Sequence, residues 1–164
     1  MRYLQSKSVF EHYLKIYEEF GSNEDVKSDI KDIFVELEDK GFTVLIDDSS
    51  HHSGFITILL PNDKLFTLES EIIESILRLI DYLKINGLYL NELNIISRYG
   101  SKRDPYDITR TVHLPNQSSL RNPPDITEEG IFIKGLYGSG DTELKVDNVR
   151  NLFYIKIKYS KENK

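Results

Sequence analysis

The sequence contains no cysteine, no tryptophan and no alanine, and its single methionine is Met1. The absence of cysteine excludes disulfide bonds, thiol catalysis and cysteine-ligated zinc sites. Long apolar runs are also absent, because none approaches the roughly 18 residues that a membrane-spanning helix needs. The N-terminus lacks the apolar core of a secretory signal peptide. We therefore expect a protein that is neither secreted nor bound to a membrane.

Sequence signatures of enzymes and of cofactor sites are missing as well. There is no Gly-x-Gly-x-x-Gly or P-loop pattern, no Gly-x-Ser-x-Gly elbow and no His-Glu-x-x-His pair. Asp47, Asp48, His51 and His52 are residue types that bind zinc, iron or manganese. Adjacent strand residues point apart, however, so a polar hairpin tip is the simpler interpretation. An enzyme would need these histidines and His113 to converge with a carboxylate, and we expect no catalytic residue, metal or cofactor.

The charge balance limits the range of partners. The chain has 164 residues, 39% of them hydrophobic, which fits one domain with an ordinary core. Its net charge of −6 argues against a general nucleic-acid coat, since such a coat needs many Lys and Arg to displace counterions. A local basic site remains compatible with this balance.

Three segments carry apolar residues at helical spacing. The first covers residues 8–20 and begins with Ser8 and Glu11, which form a capping-box pattern. The second covers residues 22–40 and the third residues 68–86, and a glycine follows each segment as a helix stop.

Shorter β-rich runs lie between and after these helices. The run FITILL is apolar on both faces, which predicts a central strand, whereas LFYIKIKY alternates and predicts a strand with one wet face. The pattern leaves open whether residues 108–114 form a strand. The predicted strands are residues 42–47, 55–60, 92–99, 131–137 and 152–159.

Hairpin connections predict an α+β fold rather than a doubly wound parallel sheet. We expect a mostly antiparallel sheet of about five to six strands, two helices packed on one face and an additional N-terminal helix, in the order α-α-β-β-α-β-(β)-β-β. The predicted organisation is an N-terminal amphipathic helix within residues 1–21, one α+β domain over 22–159 and a frayed tail over 160–164.

The segment of residues 98–124 is basic within an acidic chain. Five Lys and Arg against two Asp give it a charge of +3. Arginine suits phosphates and carboxylates because its planar fork binds two oxygens at once, and neighbouring tyrosines could stack on a base. The simpler alternative is a solvated loop whose arginines pair with acidic helices, and a third is a protein-binding surface. The candidate anion- or nucleotide-binding residues are Arg98, Lys102, Arg103, Arg110, His113 and Arg121.

The first predicted helix has two interpretations. Its aromatic stripe, with Tyr13, Tyr17 and Phe20, either packs on its own domain or docks into the groove of a partner protein. The run LKIYEEF, residues 14–20, resembles the capsid-targeting segment of internal head proteins of large contractile-tailed bacteriophages. The matching residues are Lys15, Tyr17, Glu18, Glu19 and Phe20.

A second resemblance covers residues 1–90. The pattern MRYL…YEEF…SDIKDIFVELEDKGFTV, followed by ESILRLIDYL, is similar to small uncharacterised proteins of A/T-rich tailed phages. This resemblance implies a phage origin and no particular activity. Together with the missing catalytic motifs and the acidic charge, it leads us to expect a non-enzymatic phage accessory protein of the host cytoplasm or the virion interior, which binds a phage or host protein. The alternative is an α+β module that binds a nucleotide or single-stranded nucleic acid through residues 98–121.

Overall fold

The computed structural model describes residues 23–50, 53–113, 125–133 and 142–161. Its helices are α1 (Asn23–Ile33), α2 (Val35–Asp39) and α3 (Ser70–Ile85), and a 3-10 turn covers Pro61–Asp63. Its strands are β1 (Thr43–Ser50), β2 (Ser53–Leu59), β3 (Leu88–Ser101), β4 (Asp104–His113), β5 (Asp125–Thr127), β6 (Gly130–Ile133), β7 (Thr142–Lys145) and β8 (Leu152–Lys161). The predicted α+β class is confirmed.

The main sheet has five strands in the order β1-β2-β8-β3-β4. Every neighbouring pair is antiparallel, as the hairpin-rich sequence predicted. Strand β2 lies inside this sheet, in agreement with its apolar sequence on both faces. The last described strand, β8, occupies the centre, where it pairs with β2 on one side and β3 on the other.

Residues 108–114, which the sequence left open, fall largely within β4. This strand pairs with β3 from Glu92↔His113 to Ser101↔Asp104 without a register shift, so the two form a long regular hairpin. Strand β3 is longer than its predicted core of residues 92–99 at both ends. Strand β8 includes Ser160 and Lys161, two residues of the predicted tail.

A second, three-stranded sheet has the order β5-β6-β7. The sequence predicted β6 but neither of its neighbours, because strands of three or four residues show no readable alternation. Ile131 and Leu144 from this small sheet are buried in the same core as the main sheet. The backbone N–H of Leu68 donates to the Val149 carbonyl at 2.8 Å, which ties the connection after β7 to the segment before α3.

One face of the main sheet forms the core. Ile56, Ile157 and Leu93 are opposite one another in register across three neighbouring strands, and all three are fully buried. The helices bury their apolar stripes against the same cluster, with Ile30 from α1, Leu37 from α2 and residues from α3. The helix residues in this core are Ile30, Phe34, Leu37, Ile72, Ile73, Ile76, Leu79 and Leu83.

The predicted second helix is interrupted. Phe34 adopts a non-helical conformation between α1 and α2, while its ring is fully buried. The predicted third helix is present as α3, and Gly87 follows it with φ +66°, a conformation that glycine adopts without strain. The expected helix of residues 8–20 lies outside the described residues. No helix among the described ranges is long and apolar enough to cross a membrane.

Polar contacts join the helices to one another. The hydroxyl of Tyr82 on α3 donates to Asp29 on α1 at 2.9 Å. Lys40, which follows α2, donates to Glu71 in the first turn of α3. This hydrogen bond is the main reason that the pKa of Glu71 is lowered to about 2.

The fold makes a direct prediction for the central strand. Ile155 on β8 is fully buried and lies between Ile58 and Ile95 in register, so Ile155→Ala should lower the free energy of unfolding by about 2–5 kcal/mol. Ile85, which is 84% exposed at the end of α3, is the matched control, and Ile85→Ala should change it by less than about 0.5 kcal/mol. Denaturant unfolding measures both, and equal losses would contradict this assignment of the core.

Candidate functional site

Arg98, the first residue of the predicted basic site, is engaged within the fold. It lies on β3 directly opposite Asp107 on β4. Its Nε donates to Oδ1 of Asp107 at 2.7 Å and its Nη2 donates to Oδ2 at 2.9 Å, so the pair is bidentate. This hydrogen bonding raises the pKa of Arg98 and lowers the pKa of Asp107 from its ordinary value of 3.8.

The same guanidinium also stacks on a ring of the next strand. The Cζ atom of Arg98 lies 3.3 Å from the ring centroid of Phe153 on β8. A cation over an aromatic face is attracted by the negative charge density of the ring. Arg98 therefore joins β3, β4 and β8, and a carboxylate already fills its bidentate position.

The other predicted basic residues are spread along the hairpin. Lys102 and Arg103 form the turn between β3 and β4, whereas His113 is the last residue of β4, roughly 30 Å away at about 3.3 Å per residue. Arg110 is on the opposite face from Arg98, where its Nη1 donates to Oγ of Ser97 at 3.4 Å. Arg121 lies outside the described residues. The described candidates do not converge on one point, and anion binding by them stays a prediction.

The remaining sequence candidates fall mostly outside the described ranges. Tyr13, Tyr17 and Phe20 belong to the N-terminal segment, which is not described, and His51 and His52 fall in the gap between β1 and β2. Within the residues that are described, no group of three or more His, Asp or Glu is placed to hold a metal ion.

A surface that the sequence did not single out lies on the sheet face opposite the helices. Neighbouring residues in register share a face of an antiparallel sheet, so the residues between the core positions belong to this second face. We call it the open face, because no described helix or strand packs on it. Its central part contains Phe55 and Thr57 of β2, Phe153, Tyr154, Lys156 and Lys158 of β8, and Glu92, Asn94, Ile96 and Arg98 of β3.

Aromatic rings and cations are neighbours on the open face. Nζ of Lys156 lies 4.5 Å from the ring centroid of Phe55, and Nζ of Lys158 lies 5.9 Å from it. The rings of Phe153 and Tyr154 are 5.5 Å apart at an interplanar angle of 64°. These side chains are half-buried, so part of each one is accessible to a partner. Neither lysine forms an ion pair with another described residue.

Hydrogen-bonding groups continue the open face toward β4. The hydroxyl of Thr111 donates to the side-chain carbonyl of Asn94 at 2.6 Å, and the amide nitrogen of Asn94 donates to Glu92 at 2.5 Å. Because Asn94 lies opposite Lys156 in register, this polar row borders the lysines. The open face thus combines rings, cations and amide or hydroxyl groups on adjacent strands.

One sequence signal could have located part of this face. The alternation of LFYIKIKY marked Tyr154, Lys156 and Lys158 as one wet face of a strand. Phe55 could not be assigned to this face from the sequence, because nothing in the sequence shows that β2 and β8 are neighbours. The pairing Phe55↔Lys158 arises only from the sheet order.

The fold and this surface together define the class of protein. It is an α+β protein in which one face of an antiparallel sheet is covered by helices and the other carries aromatic rings, lysines and polar side chains. Comparison with protein-family models, with curated proteins and with solved structures finds no match.

The pair of Arg98 and Asp107 leads to a pH-dependent prediction. Its stabilisation is fully present above the ordinary carboxyl pKa of 3.8 and is lost as the pH falls through the lower pKa of the folded state. Asp107→Asn should therefore lower the melting temperature at pH 7, and the difference from wild type should disappear in strong acid. Thermal unfolding followed by circular dichroism between pH 7 and pH 2 measures this.

A double-mutant cycle is the control for that prediction. In an Arg98→Met background, Asp107→Asn should have little further effect at pH 7, because the partner cation is already gone. If the two substitutions were additive, Asp107 would act through something other than Arg98.

Proposed function

We propose that this protein acts by binding a macromolecular partner through its open face, as a non-enzymatic accessory protein of a tailed phage. The observation that carries the proposal is the cluster of Phe55, Lys156 and Lys158, with ring-to-ammonium distances of 4.5 and 5.9 Å. Half-buried rings on a rigid sheet can stack on groups of a partner, and the neighbouring ammonium groups can contact its anionic groups. The phage origin and the location in host cytoplasm or virion rest on the sequence resemblance alone.

The open face is a better candidate than the basic segment of residues 98–121. The bidentate position of Arg98 is filled by Asp107, and Arg110 is directed to the other face of the hairpin. An anion would have to displace a carboxylate from Arg98, whereas Lys156 and Lys158 have no described ionic partner to lose. A nucleotide site on the basic segment remains the alternative function.

Site-specific photocrosslinking in the native host tests the proposed surface. A photoreactive amino acid at Thr57, in the middle of the open face, should form a discrete crosslinked product. The matched control is Asp81, an exposed position on α3 in the helical layer, which should form none. Nuclease treatment of the product then shows whether the partner is a nucleic acid or a protein. Equal products from both positions, or none from Thr57, would reject the open face as the binding surface.

The proposed phage context has its own test. If the protein is packaged, mass spectrometry of purified phage particles should detect its peptides at a constant ratio to the capsid protein. Deleting residues 14–20 should then remove it from particles without reducing its level in the infected cell. Absence of the wild-type protein from particles would leave only a role in the host cytoplasm.

A further inference from the structure

We propose that the open face binds single-stranded nucleic acid, with bases stacked on its rings and phosphates near its lysines. This inference rests on the proposed function and names the chemical class of the partner. It also places the nucleic-acid site on the sheet face instead of the β3–β4 hairpin.

Much of the net negative charge of the chain lies on the other layer. On the open face itself, the two lysines adjoin two carboxylates, Glu92 opposite Lys158 and Asp47 opposite Phe55. Residues 26–40 and 69–85, which contain most of the helices, carry nine Asp and Glu against five Lys and Arg, a net charge of −4. A helix is about 10 Å across, so the outer side of the helical layer lies at least that far behind the sheet, whereas the Debye length at physiological salt is about 8 Å. Salt therefore screens much of the charge of the helices from a nucleic-acid strand bound to the open face.

The rings of the open face can receive more than one base. Phe55 lies opposite Lys158, and Tyr154 lies four residues before Lys158 on β8, a separation of about 13 Å. Phe153 is adjacent to Tyr154. Base stacking on such rings does not depend on sequence, since every base has a π-face.

The lysines favour a nucleic acid over a protein partner. Lys156 lies between the two ring positions on the central strand, and Lys158 lies level with Phe55. The centre of a protein–protein interface is depleted in lysine because the ammonium group must lose its water. A single strand instead brings phosphates to the ammonium groups while its bases contact the rings.

The shape of the surface favours a single strand over double-stranded DNA. The major groove admits an α-helix or a two-stranded ribbon, whereas this surface is the face of a five-stranded sheet. Unpaired bases can reach the rings directly, and Asn94 and Thr111 offer amide and hydroxyl groups at the border. A single strand therefore fits the surface better than a duplex.

Binding of fluorescein-labelled oligothymidylate and oligouridylate of about 12 nucleotides, followed by anisotropy, tests the proposal with the full-length protein. Wild type should bind at low salt with weak, salt-sensitive affinity. If the two lysines neutralise two phosphates, log K should fall with log[salt] at a slope of about −1.4, since each contact contributes about 0.7 for single strands. Unlabelled duplex of the same length should compete poorly.

Matched variants separate the face from general charge effects. Lys156→Gln with Lys158→Gln should reduce the slope to near zero and weaken binding at low salt by at least about tenfold, and Tyr154→Leu should weaken binding by about tenfold at every salt concentration. Lys27→Gln with Lys31→Gln removes the same charge from exposed positions on α1 and should preserve the slope and most of the affinity. Circular dichroism melting confirms that each variant is folded.

Two outcomes overturn the proposal. One is the absence of any anisotropy change at low salt, and the other is equal loss in the open-face and α1 lysine variants, which would indicate a nonspecific charge effect. These failures differ from failure of the binding function itself. If the Thr57 crosslink yields a nuclease-resistant protein product, the open face is still a binding surface but its partner is a protein.

Discussion

The pairing of β8 with both β2 and β3 is the interaction on which the rest of the structure depends. The backbone of β8 hydrogen-bonds to both of these strands, which are far apart in sequence. Its side chains alternate, with Ile155 and Ile157 in the core and Lys156 and Lys158 on the open face. A slip of one residue would bury the lysines and expose the isoleucines. A bulge lies where Tyr154 pairs with Ile96 and Leu152 pairs with Ser97, and Phe153 is its extra residue. The strand register therefore also determines where the ring of Phe153 lies.

The two layers of the molecule differ in chemistry as well as in structure. Acidic side chains dominate the outer side of the helices, whereas rings and ammonium groups occupy the centre of the open face. The side-chain network around Arg98 connects this face to the long hairpin, since one guanidinium contacts Asp107 of β4 and Phe153 of β8. The hairpin is held by this contact and extends beyond the core, where Tyr106 is 58% exposed and stacks on Tyr99.

The fold class and its longest elements were predictable because their signals are local. The apolar stripe of α3, the apolar run of β2 and the alternation of β8 each lie within one segment. The break at Phe34 was not predictable, because a phenylalanine fits the apolar stripe of a helix whether or not the backbone leaves the helical conformation at that residue. The strands β5 and β7 were too short to show alternation. The predicted basic cluster was adjacent in sequence, yet a hairpin places alternate residues on opposite faces, which separates Arg98 from Arg110. The open face is the reverse case, because Phe55 and Lys158 meet only through strand order.

The central position of β8 also has a consequence for the order of events during synthesis. Strands β2 and β3 leave the ribosome before β8, so each must wait for the strand that separates them in the finished sheet. At roughly 5–20 residues per second, the interval between Leu59 and Leu152 is roughly 5–20 s. During this time the apolar edge of β2 has no partner on one side, and it can pair with another chain. Completion of the sheet is therefore a late step in biogenesis, and the yield of folded protein should depend on how well the cell protects the nascent chain until then.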